Sequence, residues 1–67
     1  PLQATMMLEF AAKLKGNPPT TFTFRGISPL MDGAPFTVNA DETSEGLHLW
    51  TAAADGRLCM EAQAVWA

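Results

Sequence analysis

Apolar positions change their spacing once along the chain. From Leu2 to Leu14 they are dense (Leu2, Ala4, Met6, Met7, Leu8, Phe10, Ala11, Ala12, Leu14) and mostly good helix formers. Pro1 suits the first helical position, where its missing N–H costs no hydrogen bond. Gly16 followed by Asn17-Pro18-Pro19 ends the run. The spacing therefore predicts a helix over 1–16. Thr5, Glu9 and Lys13 share one narrow polar stripe at 100° per residue, Glu9 and Lys13 form a favourable i,i+4 pair, and Lys13 and Lys15 suit the negative end of the dipole. A helix with so narrow a polar face is expected to be covered on most sides, either wrapped by a curved sheet or held between a sheet and a partner.

After Pro19 the period falls to two. Strands are predicted at about 20–29, 35–40, 47–54 and 57–66. In the first, Phe22 and Phe24 oppose Thr21, Thr23 and Arg25. In the second, Phe36, Val38 and Ala40 oppose Thr37 and Asn39. In the third, Leu47 and Leu49 oppose His48 and Trp50. In the fourth, Leu58, Met60, Ala62, Ala64 and Trp66 oppose Arg57, Cys59, Glu61 and Gln63. Asp32-Gly33 marks a turn, Asp41 to Gly46 reads as an acidic loop, and Asp55-Gly56 reads as a two-residue hairpin. The fold class expected is α+β, one helix followed by four antiparallel strands, all within one domain spanning 1–67.

Composition sharpens this picture. At 67 residues the chain is at most one small domain, yet 48% is hydrophobic and only 16% charged. Small domains bury a modest fraction of their surface, so either the core is large for the size or part of this apolar surface is covered by something else. The net charge is −3, and the four basic residues are scattered, which argues against nucleic acid as a partner. No apolar stretch approaches the roughly 18 residues that span a bilayer, and no signal-peptide pattern opens the chain. The sequence starts on Pro1 rather than Met, so a processed or partial start is expected. A single cysteine allows no internal disulfide and is compatible with a reducing compartment.

Candidate chemistry is sparse. His48, the only histidine, reads as a partly exposed strand residue rather than a general base. Cys59 reads as a structural thiol. Asp41, Glu42 and Glu45 lack the spacing of a calcium loop and read as a solvated turn. Arg25, beside Gly26, has two readings: a contact to a phosphate or carboxylate of a ligand, or a structural bridge to Glu61 or Asp32, with the bridge favoured. Met6, Met7 and Phe10 can line an acyl pocket or simply pack the core. Neither a glycine-rich phosphate loop nor a paired-cysteine zinc motif is present.

The segments PLQATMMLEFAAKL, FTFRGISPLMDGAPFTV and LHLWTAAADGRLCMEAQAVW together resemble the C-terminal hotdog portion of MaoC-like hydratases, in the branch with mesaconyl-CoA and itaconyl-CoA hydratases. The resemblance covers nearly the whole chain and is most specific at PLQAT and at Phe24 to Phe36. It implies a hotdog fold, here its C-terminal half, with a central helix wrapped by antiparallel strands. It also implies a lyase that adds water to, or removes it from, an acyl-CoA thioester without a cofactor or metal. In that family a carboxylate and a histidine ahead of the central helix handle water and proton, and N–H groups at the helix start polarise the thioester carbonyl. That acid–base pair is expected upstream of Pro1 or on another chain, so no catalytic residue is assigned here. The implied substrate-side residues are Leu2 and Gln3, through their N–H groups, with Met6 and Arg25 as further candidates. The implied partners are the acyl-CoA thioester, the rest of the hotdog domain and a homodimer or pseudo-dimer mate. The implied location is the cytoplasm or the mitochondrial matrix. The alternative is a non-catalytic hotdog scaffold or acyl-binding module.

Overall fold

The computed structural model describes residues 2–66. Helix α1 (Leu2–Lys15) is followed by β1 (Thr21–Gly26), β2 (Phe36–Glu42), β3 (Gly46–Ala53) and β4 (Leu58–Val65). The four strands form one open antiparallel sheet in the order β1-β4-β3-β2. The α+β layout expected from the spacing is therefore present. The predicted helix position at Pro1 lies outside the described residues.

Helix α1 ends where Gly16 turns left-handed, at φ 83°, and the Gly16 N–H donates to the Ala12 carbonyl at 2.8 Å. A residue without a Cβ adopts this cap without strain. Lys15 in the last turn pairs with Glu42 at 3.4 Å and lies 5.9 Å from the Trp66 ring centroid. The Trp66 indole N–H donates to the Asn17 carbonyl at 2.9 Å. The helix end is thus tied to both β2 and the end of β4.

The helix lies across one face of the sheet, against β2, β3 and β4. Its Ala4, Met7 and Ala11 are buried with Leu47 and Leu49 of β3 and Met60, Ala62 and Ala64 of β4. Small alanines on both sides let helix and sheet approach closely, while Met7 and Leu49 fill the centre. Phe10, Phe22, Val38, Ala40 and Trp66 pack around this core. Within this chain the helix is covered on one side only, by the sheet, rather than wrapped by it. Leu2, Met6, Leu8 and Leu14 remain exposed.

Several predicted boundaries shift. β1 stops at Gly26, and 27–29 do not extend it. Instead the Ile27 and Ser28 N–H groups both donate to the Cys59 carbonyl. β2 runs on through Asp41 and Glu42, residues expected in the acidic loop, because they pair with His48 and Leu47. The β3–β4 hairpin closes on three residues rather than two. Ala53 and Arg57 pair, the Gly56 N–H donates to the Ala53 carbonyl, and Gly56 takes φ 90°.

The alternation expected in β4 also breaks at its start. Thr51 pairs with Met60 but Ala52 pairs with Leu58, so Cys59 is an extra residue, a β-bulge. The bulge moves Leu58 to the face away from the helix, where it is exposed, and leaves Cys59 buried. Both placements reverse the simple period-two expectation.

Candidate functional site

The segment 27–35 arches over the start of α1, and its anchoring is dense. The Ser28 hydroxyl donates to the Leu58 carbonyl at 2.5 Å. The Arg57 guanidinium donates to the Ser28 hydroxyl at 2.9 Å and to the Pro29 carbonyl at 2.8 Å. The Ala34 N–H closes a turn onto the Met31 carbonyl at 2.9 Å, with Gly33 at φ 78°.

Beneath this arch two cavities flank the helix start. One, of about 230 Å³, is lined by Leu2, Gln3, Leu30, Met31, Asp32 and Phe36 among others. The other, of about 340 Å³, is lined by Gln3, Gly26, Ile27, Ser28, Cys59 and Met60 among others. Gln3 and Leu30 line both. The first-turn N–H groups of a helix have no intrahelical acceptor. No acidic side chain stands in the first turn of α1, and Asp32 of the arch lines the same cavity as Leu2 and Gln3.

Gln3 is fixed from below. Thr51 of β3 is fully buried, the one buried polar residue among those described. Its hydroxyl donates to Gln3 Oε1 at 2.6 Å. Thr51 falls in step with Leu47 and Leu49 along β3 and is not singled out by the sequence. A hydroxyl on an otherwise apolar strand face was the one available signal, and its partner lies 48 positions away.

The four candidates drawn from the resemblance do not converge on one site. Leu2 and Gln3 lie together under the arch. Met6 lines a separate open groove of about 770 Å³ between α1 and β2, with Phe10, Pro18 and Val38, rimmed by Glu9 and Lys13. Arg25 stands on the sheet face away from the helix, since its neighbours Phe22 and Phe24 pair with the inward Ala64 and Ala62 while Arg25 pairs with Glu61.

On that outward face Glu61 ties three strands together. Its carboxylate accepts from Arg25 of β1 and lies 3.3 Å from His48 Nε2 of β3. His48 stacks on Trp50 at 5.5 Å. Of the two structural bridges open to Arg25, the one to Glu61 is formed. The hydrogen bond from Arg25, and then that from His48, hold the Glu61 carboxyl below its ordinary value of 4.5, with burial opposing weakly. A depressed carboxyl stabilises the fold above the unfolded-state value and loses that contribution as pH falls through the folded-state value. Stability is therefore expected to drop as pH falls below about 4.5. Thermal melts across that range should show a shallower acid limb for Glu61→Gln than for the wild type. Equal slopes would mean that the pairs contribute nothing.

Cys59 carries a buried free thiol whose Sγ lies 3.5 Å from the Arg57 carbonyl. Asp41 and Glu42 alternate across β2 rather than converging, and the described residues hold no group of three potential metal ligands. No described helix is long and apolar enough to cross a membrane. The chain matches no protein-family model, no curated protein and no solved structure.

Proposed function

We propose that this chain is the helix-and-sheet portion of a hotdog-fold lyase that hydrates an α,β-unsaturated acyl-CoA thioester or runs the reverse dehydration. The observation that carries this reading is the start of α1, where Leu2 and Gln3 meet a cavity lined also by Leu30, Met31 and Phe36 under the 27–35 arch. Hydration joins a water oxygen to the β-carbon. The alkene π pair moves toward the thioester carbonyl, and a proton then reaches the α-carbon as that pair returns. Charge builds on the carbonyl oxygen midway, and preorganised N–H donors lower that barrier. Leu2 and Gln3 offer such donors, and Leu30, Met31 and Phe36 offer an apolar wall for the acyl chain.

The proton-transfer pair comes, in this reading, from another segment or another chain. The exposed flank of α1 and the free edges of β1 and β2 support a covering partner, because an apolar helix flank and an unpaired strand edge both favour association. The rest of the hotdog domain seats along the α1–β2 groove, and a second hotdog unit completes a homodimer or pseudo-dimer. A location in the cytoplasm or mitochondrial matrix, where acyl-CoA thioesters are used, belongs to the same proposal.

A non-catalytic acyl-binding scaffold is the second reading, favoured by one observation. Among the described residues, Asp32 is the only ionisable side chain lining either cavity apart from Cys59. The test is a set of short enoyl-CoA thioesters offered to the protein that carries this chain. Loss of the conjugated enoyl absorbance is the expected result. Binding without that loss would overturn the lyase reading in favour of the scaffold.

A further inference from the structure

We propose that the side-chain amide of Gln3, held in place by Thr51, donates a hydrogen bond to the acyl carbonyl oxygen. This rests on the acyl-thioester reading and adds to it a specific side chain and its positioning residue. The Thr51 hydroxyl occupies Gln3 Oε1, which sets the amide so that its acceptor end is engaged and its N–H₂ end is left to donate. No described residue accepts from that nitrogen. Gln3 is partly buried and lines both cavities under the arch, so a ligand entering either one meets this donor.

The lining selects the ligand's polarity. No basic side chain lines either cavity, and Asp32 lines one of them. In the cavity that Asp32 lines, a phosphate or carboxylate would meet a carboxylate, and the Arg57 guanidinium behind the other cavity is already engaged by Ser28 and Pro29, which disfavours an anion in either. A neutral carbonyl flanked by hydrocarbon suits Leu2, Leu30, Met31 and Phe36 on one side and Ile27 and Met60 on the other.

Thr51 has a reason to be there beyond packing. A buried hydroxyl on an apolar strand face adds nothing to the core that valine would not, unless its hydrogen bond is used. Here the bond fixes a rotamer-rich glutamine, and fixing such a side chain lowers the entropy cost of ligand contact.

The test separates the carbonyl contact from turnover. Calorimetry on the protein carrying this chain compares butyryl-CoA with its thioether analogue S-butyl-CoA, which lacks only the carbonyl oxygen. The wild type is expected to prefer the thioester by about tenfold, the worth of one good hydrogen bond. Gln3→Glu keeps the acceptor for Thr51 and removes the donor, and it should erase the preference. Thr51→Val should weaken the preference, and Thr51→Ser should restore it. Thermal melts confirm that each variant is folded.

A wild type that binds both analogues equally, or a Gln3→Glu variant that keeps the preference, overturns the proposal even if enoyl-CoA is hydrated. If neither analogue binds and no enoyl-CoA is hydrated, the acyl-thioester reading falls and takes this proposal with it.

Discussion

Gly46→Ala is expected to abolish the cooperative thermal transition of this domain. A Cβ at position 46 would stand 2.0 Å from the Ala64 carbonyl oxygen and 3.1 Å from Trp66 Cε3. The obstacle is the backbone of the neighbouring strand, so no rotamer change relieves it. Either the start of β3 leaves β4 or the Ala64 peptide rotates out of the ladder. Gly46 also closes the β2–β3 turn, accepting from the Thr43 N–H at 2.9 Å and donating to its hydroxyl at 3.0 Å. Overpacking commonly costs about 1–3 kcal/mol, and loss of ladder and turn bonds adds to it. A domain of this size has little margin. Circular dichroism melts and amide dispersion in NMR spectra should both show the loss. A variant melting within a few degrees of the wild type would mean that the β3–β4 approach is wider than described.

Leu49→Ala should cost about 2–5 kcal/mol. Leu49 is fully buried in the middle of β3, paired with Ala40 and Ala62 and belonging to the same core as Met7 of the helix. Its neighbours on the flanking strands are alanines, which cannot extend into the space left behind, so the cavity would persist rather than collapse. Urea titration gives the check, as a lower midpoint with an unchanged slope. A cost below about 1 kcal/mol would place the helix elsewhere on the sheet.

Much of the fold was legible because hydrophobic spacing is a direct consequence of which face is buried. The dense run ending at Gly16 marked the helix, and alternation marked all four strands. Three features carried no such mark. The bulge at Cys59 is invisible to a period-two count, because an extra residue shifts the phase without altering composition. The three-residue turn at Ala54 to Gly56 depends on which strand residues pair. β2 extends through Asp41 and Glu42 because ladder partners and Lys15 await them, and propensity alone argued the other way.

The candidate site was less legible. Leu2 and Gln3 were reached only through the family resemblance, and the structure puts them together under the 27–35 arch. Met6 and Arg25 stand apart, one in the α1–β2 groove and the other in an ion pair with Glu61. The Gln3–Thr51 contact joins the first turn of the helix to the third strand, a distance in sequence that no local pattern reports. The exposed flank of α1 has a related cause. A helix apolar on most sides predicts cover, but the spacing is silent on whether the same chain or a neighbour supplies it.

The proposed reaction adds water across the double bond of an acyl-CoA thioester. Its most direct test is mass spectrometry of enoyl-CoA incubated in heavy-oxygen water with the protein that carries this chain. The expected product is a hydroxyacyl-CoA that carries the heavy oxygen, formed only when the protein is present. Enoyl-CoA recovered unchanged across short and branched acyl chains, from protein shown to be folded, would contradict it.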